Sequence, residues 1–96
     1  TDDNITRALV TIFSPDLQGQ ALKVARELRS AGINTEVYPD STDKLGKQLK
    51  YANKKNIPFV LVIGEDEVRD NTVTLKNMET TKQSTLSLDQ AIQELS

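Results

Sequence analysis

Ile57-Pro58-Phe59-Val60-Leu61-Val62-Ile63-Gly64 is the most apolar stretch of the chain, and its reading decides the fold. The run from Phe59 to Ile63 is bounded by proline and glycine and does not alternate with polar residues, the pattern of a parallel strand covered on both faces. It predicts the central strand of a sheet. Upstream, Arg7-Ala8-Leu9-Val10-Thr11-Ile12-Phe13 is a second strand of the same kind, broken by Ser14-Pro15-Asp16. Leu17, Ala21, Val24, Ala25 and Leu28 then recur at helical spacing with polar residues between them, predicting an amphipathic helix. Asp16 is its expected N-cap, and Gly32 its expected left-handed stop.

Ile33, Thr35 and Val37 alternate with Asn34, Glu36 and Tyr38, as in a half-exposed strand at a sheet edge closed by Pro39. Leu45, Leu49 and Ala52 mark a second helix within Ser41 to Lys55, with Ser41, Thr42 or Asp43 as its cap; Gly46 inside it costs about 1 kcal/mol relative to alanine. Past the central strand, Asp70-Asn71 signals a turn. Thr72 to Asn77 and Lys82 to Leu86 should pair as a hairpin across the polar turn Glu79 to Thr81. Ser87 caps a last helix carrying Leu88, Ala91, Ile92 and Leu95. Right-handed crossovers make the first three strands parallel and close turns reverse the fourth. The expectation is an α/β domain, with a mixed five-stranded sheet in order 2-1-3-4-5, strand 4 antiparallel, and three helices. Residues 1–96 form a single domain in this reading, with 1–5 frayed.

Composition narrows the chemistry. The chain has 96 residues, 36% of them apolar, enough for one core and too few for a second lobe. It has no Cys and no His, so thiolate catalysis, disulfides, cysteine-zinc sites and the commonest general base are absent. The longest apolar run falls far short of the roughly 18 residues that cross a bilayer, and no basic-then-apolar leader opens the chain. A soluble, cytoplasmic protein is expected, and a start at Thr1 without Met suggests a piece of a longer polypeptide. The first strand-to-helix turn has one glycine, Gly19, and no phosphate loop. Ser14 or Asp16 could act on a ligand there or simply cap the helix. A phosphate-receiver domain is excluded because the third strand ends at Gly64 rather than at an aspartate.

Net charge is −2, but residues 41–56 hold five basic groups and one acidic. Lys44, Lys47, Lys50, Lys54 and Lys55 are either a solvated helix face or a surface for a polyanion. Tyr51 could stack on an unpaired base or pack at the helix edge. Glu65, Asp66 and Glu67 form an acidic loop just past the third strand, where ligands collect in open α/β sheets. Successive loop positions point apart, so a solvated or hydrogen-bonding loop is favoured over a cation site.

Taken together, Gly32-Ile33 with the strand to Val37, Leu45-Gly-Lys-Gln-Leu-Lys-Tyr-Ala52, Ile57 to Glu67, and Thr72 to Thr80 with Gln83 resemble the C-terminal anticodon-binding domain of histidyl-tRNA synthetases. The likeness covers roughly residues 6 to 95. Gly64-x-x-Glu67 and the strand from Thr72 look like the wider class IIa synthetase family. Gln48-Leu-Lys-Tyr-Ala52, Lys76-Asn-Met-Glu-Thr80 and Gln83 point to the histidyl branch. The resemblance implies a three-layer α/β/α fold and a tRNA partner, read at the anticodon loop. It implies a homodimeric parent enzyme, with this domain alone a monomer, that joins histidine to tRNA using ATP, with Mg, in a catalytic domain outside this chain. No catalytic residue, cofactor or metal is expected here.

By the family's pattern, Glu67 and Lys76 match positions that face anticodon bases. Lys76 stands where some relatives carry arginine, and a single ammonium lacks arginine's planar fork. Gln48, Tyr51 and Gln83 are further candidates for anticodon contacts, each with a plain helix-surface or strand-pairing alternative, and Lys47 and Lys50 are candidates for phosphate. The alternative function is a synthetase-like module used for regulation or protein-protein contact without tRNA charging.

Overall fold

Residues 5–96 are described in a computed structural model. Five strands form one sheet in the order β2-β1-β3-β4-β5, as expected from the sequence. They are β1 (Ala8–Val10), β2 (Thr35–Val37), β3 (Phe59–Val62), β4 (Val73–Asn77) and β5 (Gln83–Leu86). β1 runs parallel to both β2 and β3, whereas β4 is antiparallel to β3 and to β5. The expected fraying of residues 1–5 lies outside the described residues except at Ile5, whose carbonyl accepts from Asn34 Nδ2 at 3.0 Å.

Alternation along the strands divides the core into two layers. On the first face, Ala8, Val10, Ile12, Leu61, Ile63, Val73 and Leu75 pack under α1 (Gln18–Ser30) and the C-terminal helix. On the second, Leu9 and Val60 pack with Tyr38, Ile57 and Ala52 of α2 (Leu45–Lys54). Leu61, fully buried in the middle strand, gains about 1.5 to 3 kcal/mol from leaving water. The apolar run read as the central strand therefore occupies the sheet's centre because α1 and α2 cover it from opposite sides.

Helix ends follow local chemistry. Gly32 adopts φ +85, the left-handed region that a Cβ disfavours, and closes α1 as expected. Ser87 Oγ accepts from Gln90 N at 3.1 Å while Gln90 Oε1 accepts from Ser87 N at 3.1 Å, a reciprocal cap on the C-terminal helix (Leu88–Leu95). Two expected caps are corrected. Asp16 lies inside a short 3-10 turn, Pro15–Leu17, and α1 begins after it at Gln18. α2 starts at Leu45, without a side-chain cap from Ser41, Thr42 or Asp43. Asp43 accepts instead from Tyr38 Oη at 2.6 Å, a bond that pushes the Tyr38 phenol up to about 12.

The expected count of three helices is also corrected. Glu65, Asp66 and Glu67, read as an acidic loop, open a short helix, α3 (Glu65–Asp70), so the C-terminal helix is α4. Only one apolar residue, Val68, sits within it, so no periodicity announces it. Glu65, Asp66 and Glu67 fall in its first turn, where carboxylates complement the exposed N–H groups of a helix start. Asn71 ends it in the left-handed conformation at φ 58.

Candidate nucleic-acid interface

On the second face α2 packs against Leu9 of β1 and Val60 of β3 and reaches Glu36 on β2 through Tyr51. Towards the opposite edge that face stays open, and Gln83 and Thr85 on β5 are exposed. Register decides which side chains share it. Thr74 stands opposite Thr85 and Lys76 opposite Gln83, so two alternate rungs of β4 and β5, with Leu75 and Ser84 between them, present Thr, Thr, Lys and Gln to one side.

Glu67 closes the upper end of this shelf. As the third residue of α3 it folds back, and its Oε1 accepts from the Gly64 N–H at 2.7 Å. Gly64 has no side chain to return the bond, so only half of a capping box forms. The other oxygen, Oε2, accepts from Thr74 Oγ1 at 3.2 Å, and Thr74 Oγ1 lies 3.4 Å from Thr85 Oγ1. Glu67 is thus half-buried and aimed at β4 with lone pairs to spare, since a carboxylate can accept about four hydrogen bonds. Lys76 is half-buried and makes no ion pair among the described residues. Glu67, Lys76 and Gln83 are brought to one open face, joined by Thr74 and Thr85, which the sequence reading did not single out.

Gln48 is elsewhere. It is 0% exposed, and every polar atom of its amide is engaged. Oε1 accepts from Ile12 N at 2.8 Å, and Nε2 donates to the carbonyls of Ile12 at 2.7 Å and Asp43 at 2.9 Å. This corrects its reading as a base-contacting residue: Gln48 replaces the strand partner that Ile12 lacks just beyond β1.

Tyr51 also turns away. Its hydroxyl donates to Glu36 Oε1 on β2 at 2.8 Å, its ring meets Tyr38 edge-on at 5.3 Å between centroids, and Lys55 Nζ lies 5.7 Å from the ring centroid. β2 and β5 are opposite edges of the sheet, so Tyr51 stands apart from Glu67 and Lys76, and the packing alternative describes its setting.

Glu36 accepts from Thr6 Oγ1 as well. The Thr6 bond, with the Tyr51 bond and the charge of Lys55, outweighs burial and holds the Glu36 carboxyl below its ordinary 4.5. A depressed folded value stabilises the domain above the ordinary value, and the gain disappears as pH falls through the folded one. Glu36→Gln should therefore destabilise the domain at neutral pH, with the gap to wild type closing on acidification below about 4.5; denaturant midpoints at pH 7 and at pH 3 measure it.

Lys47 and Lys50 lie one turn apart on the exposed side of α2, which is the geometry for neighbouring phosphates. Lys47 Nζ is 3.4 Å from Asp43 Oδ1, an exposed pair of small energetic weight, and Lys50 forms no ion pair among the described residues. Of the four acidic residues in α3, Asp66 and Asp70 pair with Arg69 at 3.2 and 3.3 Å and Glu67 caps the helix. Among the described residues no three His, Cys, Asp or Glu side chains gather to hold a metal.

Residues 7–96 match the family model described as the anticodon binding domain. Histidine-tRNA ligase of Cytophaga hutchinsonii is 42% identical over 94 residues, 98% of this chain and 20% of that protein. Histidine-tRNA ligase of Clostridium tetani is 44% identical over 88 residues, 92% of this chain and 20% of its relative. Among solved structures, histidyl-tRNA synthetase from Nostoc superposes with a TM-score of 0.91 at 29% identity, covering 96% of this chain and 22% of that one. The RNA binding domain of threonyl-tRNA synthetase from Cryptosporidium parvum gives 0.87 at 31% identity, over 93% of this chain and 22% of that one. The chain spans about a fifth of the length of the curated relatives it matches. A family match over nearly the whole chain, on the sheet order and helices described above, makes it a member of the anticodon-binding domain family, similar throughout to the corresponding part of histidine-tRNA ligases.

Proposed function

We propose that the chain recognises the anticodon loop of histidine tRNA on the open sheet face, with Glu67, Lys76 and Gln83 facing bases and Lys47 and Lys50 facing phosphates. The observation that carries this reading is the convergence of Glu67, Lys76 and Gln83 on one uncovered face of a domain whose family binds anticodons. Single-stranded bases are read along their edges by a few polar groups. The free lone pairs of Glu67 suit a donor edge, such as the amino and imino groups of guanine; Lys76 and Gln83 can donate to carbonyl and ring-nitrogen acceptors. In the whole protein, this recognition would serve a catalytic region outside the chain that joins histidine to tRNA with ATP and Mg, within a cytoplasmic homodimer. Among the described residues no helix is long and apolar enough to cross a membrane.

Lysines that touch phosphate carry no sequence information. Lys47→Ala and Lys50→Ala should each weaken all anticodon stem-loops about equally and lower the salt slope by about one unit. Titrating wild type and both variants against the histidine stem-loop and a scrambled loop over a range of salt concentrations tests this. A loss confined to the histidine loop would move the lysine to the base-reading set.

A further inference from the structure

The chain has two Phe, two Tyr and no Trp. Three of these four aromatics are occupied. Phe59 packs against the core beneath the Arg7 guanidinium, 5.2 Å from its ring centroid; Tyr38 is 6% exposed; Tyr51 is half-buried and bonded to Glu36. Phe13 is 55% exposed, the most open aromatic ring among the described residues.

Its position gives that exposure a use. Phe13 follows Ile12 at the end of the β1 segment, beside the end of β3, and its ring borders Gly64. A Cβ placed on Gly64 would lie 3.7 and 3.8 Å from Phe13 Cγ and Cδ1 and 2.9 Å from Glu67 Oε1. The ring and the carboxylate thus border one point from two sides, an apolar face next to a hydrogen-bond acceptor. Gln48 fixes the chain just before the ring by holding both the N–H and the carbonyl of Ile12. An exposed phenylalanine alone is unremarkable on a protein surface. One braced by a buried amide and set beside a half-buried carboxylate is a platform: an unpaired base can lie flat on the ring while its edge reaches the acceptor.

We propose that Phe13 is the stacking platform for one anticodon base, the base whose donor edge Glu67 accepts, and that Gly64 keeps the space between ring and carboxylate free of a side chain. The inference rests on the anticodon reading above and adds to it a base-contacting residue on β1's side of the site.

The test uses this chain with histidine anticodon stem-loops, either intact or with a single abasic nucleotide at each anticodon position in turn. Phe13→Ala should weaken the intact loop about tenfold, in the range of a lost base-aromatic stack, whereas Phe13→Tyr should stay within about twofold. Phe13→Leu, which keeps apolar area without a π face, should lose nearly as much as alanine. At one position the abasic loop should bind wild type as weakly as the intact loop binds Phe13→Ala, and the variant should lose nothing further there. With 2-aminopurine at that position, wild type and Phe13→Tyr should quench its fluorescence on binding, and Phe13→Ala should not. Wild-type binding left unchanged by Phe13→Ala and Phe13→Leu would overturn this inference and leave the anticodon reading standing. Failure of wild type to distinguish the histidine loop from a scrambled one would overturn the anticodon reading and this inference with it. Thermal melting of each variant reports folding, and at so exposed a position Phe13→Leu should match wild type.

Discussion

Gln48→Leu should lower the stability of the domain by roughly 3 kcal/mol, equivalent to a fall of about 12 to 24 °C in Tm for a domain of this size. Leucine is similar in volume, so the loss does not come from a cavity. It comes from the Ile12 N–H and carbonyl and the Asp43 carbonyl, which lose their partners together. Each unsatisfied buried polar group costs about 1 to 3 kcal/mol, and some relief from water at Asp43 keeps the total below the sum of three. A residue that simply displayed its amide to RNA would show no such effect, since surface substitutions usually stay within about 0.5 kcal/mol. Chemical denaturation of the variant decides between these roles, and a change below about 1 kcal/mol would return Gln48 to the surface.

Glu67→Ala should lower affinity for the histidine anticodon loop by about 1 to 3 kcal/mol and affect a scrambled loop far less. Alanine also removes the acceptor for Gly64 N, so part of the change is a loss of α3's cap, worth about 1 kcal/mol in stability. Glu67→Gln separates the two effects. Its amide oxygen can still accept from Gly64 N, which preserves stability, but the negative charge that attracts a base's donor edge is gone. Glutamine should therefore melt close to wild type while discriminating between loops nearly as poorly as alanine. If both variants bind the two loops with the same relative loss, Glu67 is a structural cap alone.

These two residues also show where the sequence was legible. The strand order could be read because Phe59 to Ile63 is apolar without interruption, Gly32 stops α1, and Ser87 starts the last helix; these signals need no partner from a distant segment. Gln48 could not be read in this way. Among lysines on a polar helix it looks like surface, and its burial follows from Ile12 running past the end of β1 with no strand to take its backbone groups. α3 was equally hidden. A six-residue helix with one apolar side chain has no period, and its stability is local, from Glu67 on Gly64 and from acidic residues at its start.

Within the candidate site, the positions legible by family likeness do share a face: β4 and β5 pair as the expected hairpin with Lys76 opposite Gln83, and Glu67 is bonded to Thr74 on the same side of β4. The members of the set drawn from α2 separate according to helix geometry. Gln48 and Ala52, four residues apart, face the core, Lys47 and Lys50 face outward, and Tyr51 reaches back to Glu36. Phe13 was passed over because a strand-ending aromatic reads as core. Its 55% exposure is visible only in the assembled domain.

The most direct measurement is the affinity of the wild-type chain for the histidine anticodon stem-loop and for the same stem with a scrambled loop, at about 50 mM and about 200 mM salt. Phosphate contacts weaken on both RNAs as salt rises, whereas base contacts set a ratio between the two loops that changes little. The account predicts a preference for the histidine loop of about tenfold or more, retained at the higher salt while both affinities fall. Equal binding of the two loops at both salt concentrations would contradict it.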